Sequence, residues 1–390
     1  MKNTLVVISS NWIKKNKENY YGYPQWKFLE RFRSFFGNTC FIAPVKAVKG
    51  QNQSEELGIK LNSKVKIIEL PYFEGTISQV KRFYLVFYLI PKYLKYIKNA
   101  QIVFVYNRDF FSTIALLVSK ILNKKTVFFI GDIWHKNIKE KYKNPLFVLA
   151  GKMLSFIQRY IISLKKENSL LLTTLNKEIE SEVRKWNVEY QRYFASLISE
   201  SNIFYKKLHP LSEKSVIKIL YVGWLTEGKG VQDLIKASSK LQKEIPSKVE
   251  LHIVGNGYYK EYLVNLAHNK RVEAVFYGFV GNRKRLKSIY QGSDIFVLAS
   301  YTEGYPKVVF EAASQGCFVI TSDIVELEDL CVKYKTKDTS ALTSLLKKAI
   351  LDFDFYKNQI ERQYIYIKNY TLEKACENIY AILKKRWSLD

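Results

Sequence analysis

The C-terminal half of the chain alternates short apolar runs with helical patterns. The apolar runs cover residues 216–222, 249–254, 275–277, 294–298 and 318–321. Most of them end at glycine or a small polar residue, and a helical pattern such as that over 231–243 follows. Strands that are apolar throughout and alternate with helices indicate a parallel sheet covered on both faces. This half is therefore predicted to be a Rossmann-like α/β domain.

The N-terminal half repeats the same alternation less clearly. Its predicted strands are 4–8, 40–43, 65–70, 102–106, 126–130 and 170–174, with a helix over 112–122. A chain of 390 residues is too long for one hydrophobic core. We expect two α/β domains, 1–205 and 206–370, and a final helical segment, 371–390, that can pack on either domain, including back onto the first.

Positive charge is concentrated in the N-terminal half. The chain has 62 Lys and Arg against 36 Asp and Glu, a net charge of +26. Residues 1–210 have a net charge of +20, and residues 211–390 have a net charge of +6. With 47% hydrophobic and 25% charged residues, the composition excludes a disordered or fibrous protein. The excess charge predicts an anionic partner for the first domain.

The cysteines and apolar runs predict a cytoplasmic chain. Cys40, Cys317, Cys331 and Cys376 form no CxxC pair and are expected to be buried thiols. Near the N-terminus only residues 5–8 are apolar, which is too short for a signal peptide. The longest later run, 83–90, stops at Pro91, whereas a membrane span needs about 20 residues.

Three loops after predicted strands contain candidate ligand-binding residues. Ligands of parallel sheets bind beyond the carboxyl ends of the strands. One loop, 223–230, is glycine-rich, includes Lys229 and opens a helix, so its amides and its lysine suit a phosphate. A second loop contains Gly255 and Gly257. An ordinary tight turn remains an alternative for each of these two loops.

The third loop, 300–306, opens a further helix. Pro306 suits the first position of that helix, and Gly316 suits the position just past its end. Glu303 then lies beside the start of the helix, and Glu311 lies on it, a rise of roughly 7.5 Å beyond Pro306. The alternative is that Glu303 only interacts with the helix dipole and Glu311 is a surface charge.

Four segments together resemble glycosyltransferase family 4, a group of retaining enzymes. They are Leu-Tyr-Val-Gly-Trp-Leu-Thr-Glu-Gly-Lys-Gly-Val from 220, His-Ile-Val-Gly-Asn-Gly from 252, Val-Phe-Tyr-Gly-Phe-Val from 275, and Glu-Gly-Tyr-Pro-Lys-Val-Val-Phe-Glu from 303. The resemblance implies the GT-B fold, in which two Rossmann-like domains face each other across a cleft. It also implies a nucleotide-diphosphate-sugar donor as substrate, with no cofactor and no metal.

The resemblance assigns roles to individual residues. Lys229 would contact the diphosphate, Glu303 the hydroxyls of the donor sugar, and Glu311 the ribose hydroxyls. The remaining donor-site candidates are Gly223, Trp224, Gly255, Gly257, Val280 near the base, and Gly304, Tyr305, Pro306 and Lys307 at the helix start. Transfer would retain the anomeric configuration, with the acceptor attacking on the face from which the diphosphate leaves.

The chain departs from the family pattern at three places. Trp224 stands where the family usually has Arg, which removes one cation from the phosphate site. The family commonly has His after the strand over 127–130, but this chain has Asp132, a candidate for sugar contact or catalysis, with His135 as a second candidate. The glycine-rich first loop is reduced to Gly22.

An Asp-x-Asp sequence occurs once outside these motifs. It comprises Asp352 and Asp354 and lies in a late helical stretch, so we do not expect it to bind a metal.

The first domain is expected to receive the acceptor and to dock on a membrane. Segment 79–99 mixes Lys and Arg with aromatic residues, as an interfacial element does. A second cluster comprises Lys14, Lys15, Lys17, Lys27, Arg31 and Arg33. Such charge favours an anionic leaflet that carries a lipid-linked acceptor. The alternative is that 83–90 is core and its cations are solvated.

The predicted function is therefore that of a retaining glycosyltransferase on the inner face of the cell membrane. It would build a bacterial surface polysaccharide such as capsule, O-antigen or exopolysaccharide. A degenerate, non-catalytic partner subunit and a nucleotide-sugar epimerase of the same fold are the alternatives. Nucleic-acid binding is not expected, because no RNA- or DNA-binding motif is present.

Overall fold

The structure of the chain divides into two units. The computed structural model describes residues 4–9, 13–17, 19–22, 26–48, 59–62, 65–72, 83–106, 109–131, 145–173, 177–192, 198–303, 306–325, 327 and 329–389. The first unit comprises Met1–Leu197 and Leu372–Asp390, and the second comprises Ile198–Thr371.

The first unit is built on a mainly parallel sheet. Its strands run in the order β10-β9-β8-β7-β1-β4-β2-β3-β5, with β6 beside β4, and β3 is antiparallel to β2 and β5. The strands are β1 Thr4–Ser9, β2 Ile13–Asn16, β3 Asn19–Gly22, β4 Asn38–Ala47, β5 Ile59–Lys60, β6 Lys66–Pro71, β7 Ile102–Tyr106, β8 Lys125–Ile130, β9 Ser169–Thr173 and β10 Tyr190–Arg192.

Helices cover both faces of this sheet. They are α1 Trp26–Phe32, α2 Val86–Ile97, α3 Phe110–Ile121, α4 Pro145–Ser163, α5 Lys177–Arg184 and, from the end of the chain, α12 Leu372–Trp387. Because successive strand residues point to opposite faces, Leu5 and Val7 join one core with α1 and α12, whereas Val6 and Ile8 join the other with α2 to α5. The last helix thus contributes to the core of the first unit, where Cys376 and Leu383 are fully buried.

The second unit is a fully parallel sheet with alternating helices. Its strands, in the order β13-β12-β11-β14-β15-β16, are β11 Val216–Val222, β12 Lys248–Val254, β13 Glu273–Gly278, β14 Ile295–Leu298, β15 Phe318–Ser322 and β16 Val332–Tyr334. Its helices are α6 Val231–Leu241, α7 Lys260–Asn269, α8 Arg283–Gln291, α9 Lys307–Ser314, α10 Thr339–Leu351 and α11 Phe353–Asn369.

The strand order reverses direction between β11 and β14. From β11 the chain proceeds outward to β12 and β13 and then returns to the other side of β11, at β14. Loops at the carboxyl ends of such a pair diverge to opposite sides of the sheet and leave a crevice between them. The loops that follow β11 and β14 are those that contain Lys229 and Glu303.

Residues 198–205, which the sequence analysis placed at the end of the first domain, pack with the second unit. The Phe204 amide donates to the Ser314 carbonyl at 2.8 Å, and Gln315 Nε2 donates to the Asn202 carbonyl at 2.9 Å. These hydrogen bonds attach the segment to the end of α9. The unit boundary therefore lies before the boundary expected from composition.

All four cysteines are buried and free. Burial raises the pKa of the Cys40 thiol to about 11 and that of Cys317 to about 12. Among the described helices, none combines the length and apolar character that crossing a membrane requires.

Candidate functional site

Three loops of the second unit lie side by side at the carboxyl edge of its sheet. The Gly223 amide donates to the Val254 carbonyl at 3.0 Å, and the Leu225 amide donates to the Asn256 carbonyl at 3.0 Å. On the other side, the Tyr301 amide donates to the Gly228 carbonyl at 2.8 Å. The loops after β11, β12 and β14 therefore form one hydrogen-bonded layer.

Glycine is required where these backbones approach each other. Gly255 has φ +140°, and a Cβ there would lie 1.8 Å from the Gly223 carbonyl oxygen. Gly230 has φ +66°, and its Cβ would lie 2.0 Å from the Ala299 carbonyl oxygen. Either contact is far inside van der Waals distance, and both backbone conformations disfavour a side chain. The glycines of these loops thus allow the loops to lie close to each other.

Lys229 and Glu303 form an ion pair across the crevice. Lys229 Nζ lies 2.6 Å from Glu303 Oε1, and Ser300 Oγ donates to the same oxygen at 2.7 Å. The two side chains are partly exposed, 27% for Lys229 and 14% for Glu303. A cation and a carboxylate are therefore fixed together at the point where the strand order reverses, and solvent reaches both.

Tyr301 fastens the Glu303 loop to α6. Its hydroxyl donates to Asp233 Oδ2 at 2.6 Å and accepts from Gln232 Nε2 at 2.9 Å. Burial raises the pKa of Tyr301, and its hydrogen bond to the Asp233 carboxylate adds to the effect, so the phenol stays protonated and donates. The loop after β14 is thus held by a side chain as well as by its backbone.

Glu311 lies on α9 and has two partners. Arg283 Nη1 lies 3.0 Å from its Oε1, and the Tyr290 hydroxyl donates to its Oε2 at 3.3 Å. Glu311 is 20% exposed and Arg283 59% exposed, so one face of the pair stays open to solvent. Both carboxylate oxygens of Glu311 therefore have a partner.

The helix that carries Glu311 begins one residue later than predicted. Pro306 is its N-cap and Lys307 its first residue, while Gly316, at φ +78°, follows its end as expected. Lys307 is largely exposed, yet partial desolvation lowers the pKa of its ammonium; the Glu311 carboxylate acts in the opposite direction, and Arg283 lowers the pKa further.

Arg283 and Tyr290 were not among the sequence-based candidates. Both lie on α8, whose N-cap Asn282 accepts the Arg285 amide at 3.0 Å. A basic run over 283–287 follows the loop after β13. Nothing in the linear pattern indicates that this run lies beside α9. The contact depends on the order of strands in the sheet.

A large aromatic ring is exposed at one candidate, Trp224, and next to another, Val280. Trp224 is 70% exposed, and its carbonyl accepts the hydroxyl of Tyr221, a buried residue on β11, at 3.0 Å. Val280 is buried and follows Phe279, which is 73% exposed. The position where the family usually has Arg thus presents an aromatic surface to solvent.

Asp132, His135, Gly304 and Tyr305 lie outside the described residues. Gly22 is in the first unit, where a Cβ would lie 2.4 Å from the Trp26 ring, so packing requires its lack of a side chain. Asp352 caps α11 by accepting the Phe355 amide at 2.9 Å.

A family model described as "Glycosyl transferases group 1" matches residues 206–365. An uncharacterized glycosyltransferase of Methanocaldococcus jannaschii is 36% identical over 114 residues, which are 29% of this chain and 28% of that protein's own length. Protein CapJ of Staphylococcus aureus is 24% identical over 370 residues, 93% of this chain and 90% of CapJ. The first similarity is partial, and the second extends along nearly the whole chain.

Solved structures resemble the whole chain in fold. WaaG, a glycosyltransferase involved in lipopolysaccharide biosynthesis, has a TM-score of 0.63 at 15% identity, covering 97% of this chain and 99% of its own. Anabaena HepE in complex with UDP has a TM-score of 0.66 at 12% identity, covering 98% and 100%. Residues 206–365 thus show the predicted similarity to group 1 glycosyltransferases, and the solved structures confirm that the chain has the predicted GT-B fold.

Proposed function

We propose that this chain transfers a sugar from a nucleoside-diphosphate-sugar to a saccharide acceptor with retention of anomeric configuration. The observation that carries the proposal is the Lys229–Glu303 pair, 2.6 Å apart at the reversal point of the sheet. A cation for a phosphate and a carboxylate for sugar hydroxyls are the two groups that such a donor needs at adjacent positions.

Lys229 is assigned to the diphosphate and Glu303 to the donor sugar. The helices α6 and α9 begin next to these two residues, and the free amides of a helix start favour an anion. A bound nucleotide sugar would share Lys229 with Glu303, because the carboxylate already accepts one of the three N–H groups of the ammonium. Fixed positive charge at this place stabilises the negative charge that develops on the leaving diphosphate.

Glu311 is assigned to the ribose hydroxyls. Arg283 and Tyr290 hold its carboxylate in one orientation, which lowers the entropic cost of binding a diol. Phe279, next to Val280, offers an exposed ring against which a base can pack.

We propose retention for the reaction because the motifs resemble those of family 4. The acceptor oxygen forms a bond to the anomeric carbon on the face from which the diphosphate departs, and the acceptor proton passes to the departing phosphate oxygen. The proposal requires no divalent metal and no cofactor. Asp132 stays a candidate for sugar contact, with His135 second.

The acceptor is proposed to be a lipid-linked saccharide of a bacterial surface polysaccharide. Two observations support this assignment. WaaG, which shares the fold, is involved in lipopolysaccharide biosynthesis. The first unit contains 37 basic and 17 acidic residues, a net charge of +20, which favours peripheral association with an anionic membrane.

A thermal-shift panel of nucleotide sugars in buffer with EDTA tests the proposal. Ligands that bind only the folded state raise the melting temperature according to their affinity. At least one nucleotide sugar should raise the melting temperature of the wild-type chain, and Lys229→Ala should reduce that shift.

Lys347→Ala is the matched control, since Lys347 pairs with Glu244 at 3.0 Å on the surface of the same unit. Its shift should equal that of the wild type. A panel without any response would contradict the proposal and favour a degenerate partner subunit.

A further inference from the structure

Helix α4 exposes an apolar stripe to solvent. The stripe consists of large side chains that are 40–69% exposed: Leu149, Met153, Phe156, Ile157 and Tyr160 on the helix and Leu164 directly after its end. At 100° per residue these positions share an arc of roughly 100°. The opposite side of the helix is buried, for example at Gln158 and Ile162. The helix therefore has an inward face that packs on the sheet and an outward face that is apolar.

The neighbouring helices continue this surface. Helix α3 packs against both α2 and α4 on the same side of the first unit's sheet. On α2 and the turn before it, Phe87 is 80% and Tyr84 56% exposed; on α3, Ile121 is 67% exposed. We call the outward side of α2, α3 and α4 the apolar face. Neighbouring exposed apolar side chains in this number on a folded unit indicate an interaction site.

The charged side chains on the helices of the apolar face are of one sign. None of the three helices contains Asp or Glu, and Asp109, which precedes α3, is buried as its cap. Lys152 and Arg159 lie along one edge of the α4 stripe, and both are exposed. On α2, Lys92 lies 4.9 Å from the centre of the Tyr88 ring. Apolar and aromatic side chains between cations are the pattern of an element that lies in a membrane interface.

The second cation cluster, which extends from Lys14 to Arg33, is less suited to docking on a membrane. Lys14 is buried, Lys15 pairs with Glu69 at 2.6 Å, and Arg33 pairs with Glu30 at 2.7 Å. These ion pairs already neutralise part of its charge. Of these two surfaces, the apolar face is the one that combines exposed apolar side chains with cations and has no acidic residue within its helices.

We infer that the apolar face docks on an anionic lipid surface, with α4 lying in the headgroup region. The inference rests on the proposed function, because a lipid-linked acceptor has to be reached at a membrane. It adds which surface makes the contact, and it includes α4, which was not singled out from the sequence.

Co-sedimentation of the full chain with vesicles tests the inference. One set of vesicles contains only phosphatidylcholine, and the other contains equal parts of phosphatidylcholine and phosphatidylglycerol. The wild-type chain should bind the second set, and added salt should weaken binding. Met153→Ser/Phe156→Ser should reduce partitioning roughly tenfold or more. Lys152→Gln/Arg159→Gln should reduce it about fivefold per cation.

Ile365→Ser is the matched control, since Ile365 is 65% exposed on α11 of the second unit, and it should bind vesicles as the wild type does. Nucleotide-sugar binding in solution should be unchanged in all these variants, which separates this test from that of the proposed function. Wild-type binding that is equal on both vesicle sets, or unaffected by the α4 variants, would overturn the inference. So would a wild-type dimer that Met153→Ser/Phe156→Ser converts to monomer without a change in vesicle binding.

Discussion

At the scale of single residues, the pairing of Lys229 with Glu303 determines how the site is charged before a donor binds. The ammonium and the carboxylate neutralise each other, with Ser300 supporting the carboxylate at 2.7 Å. A diphosphate therefore gains less from Lys229 than it would from an unpaired cation. The missing family Arg, replaced by the exposed Trp224, makes the lysine more important for phosphate binding.

Removing either partner should have a distinct effect. Lys229→Ala should weaken the binding of the preferred nucleoside diphosphate by roughly 10- to 100-fold, because a charge-assisted hydrogen bond is lost. Glu303→Gln should bind the diphosphate as well as or better than the wild type, since it releases Lys229, but should lose sugar turnover. Isothermal titration and turnover measurements on both variants test this, with Lys347→Ala as control. Equal diphosphate affinity in Lys229→Ala and Lys347→Ala would contradict the assignment.

The loop layer depends on glycine at particular positions. Gly255→Ala would place a Cβ 1.8 Å from the Gly223 carbonyl at φ +140°, so we expect destabilisation of about 1–3 kcal/mol and weaker donor binding. Gly228→Ala in the neighbouring loop meets nothing within 4 Å and should change stability by less than about 0.5 kcal/mol. Melting temperatures of the two variants provide the comparison. Equal melting temperatures for Gly255→Ala and Gly228→Ala would contradict the close approach of these loops.

At the scale of secondary-structure elements, the apolar runs of the C-terminal half predicted β11 to β15 to within about two residues. Strand β11, over Val216–Val222, has the bounds expected from the sequence. Strands β11, β12, β14 and β15 are largely buried on both faces, so hydrophobicity alone marks them. The short strands β2, β3, β5, β10 and β16 were not predicted, because two to four residues contain too little pattern.

Side chains whose roles depend on tertiary neighbours could not be predicted in the same way. Lys229 and Glu303 were found from their motifs, but their pairing depends on β14 lying beside β11. Arg283 is a site neighbour only because α8 and α9 are adjacent. Helix α4 has apolar residues on two faces, and sequence periodicity does not tell which face the sheet covers.

Helix α3 contains a buried lysine that makes stability depend on pH. Burial lowers the pKa of Lys120 from 10.5 to about 8, and its ammonium hydrogen-bonds to Ser169 Oγ. At pH values below this pKa, Lys120 is charged in the folded chain, and the burial of that charge lowers the stability of the fold by its full amount. The penalty disappears as pH rises from about 8 to 10.5, because the unfolded chain then holds the proton that the folded chain has lost.

Lys120→Met removes this penalty. Near neutral pH the variant should melt roughly 2–4 °C higher than the wild type for each kcal/mol of penalty, and the difference should shrink as pH approaches 10.5. Calorimetry at both pH values measures it. A difference that is constant with pH would indicate that Lys120 is not charged in the folded state at neutral pH.

At the scale of the whole molecule, charge and site chemistry are divided between the two units. The second unit has 25 basic and 19 acidic residues and contains Lys229, Glu303 and Glu311, whereas the first unit has the net charge of +20. The anionic donor is assigned to the nearly neutral unit, so it does not account for the surplus. We propose that an anionic surface carrying the acceptor accounts for it, and the apolar face lies on the same unit.

The measurement that tests the central claim most directly is real-time proton NMR of donor turnover with water as acceptor. The donor is the nucleotide sugar that gives the largest thermal shift, and Glu303→Gln is the inactive control. The wild-type chain should break the bond between the anomeric carbon and the diphosphate, and the first-formed sugar should have the anomeric configuration of the donor. A first-formed sugar of opposite configuration, or turnover that Glu303→Gln leaves unchanged, would contradict the account.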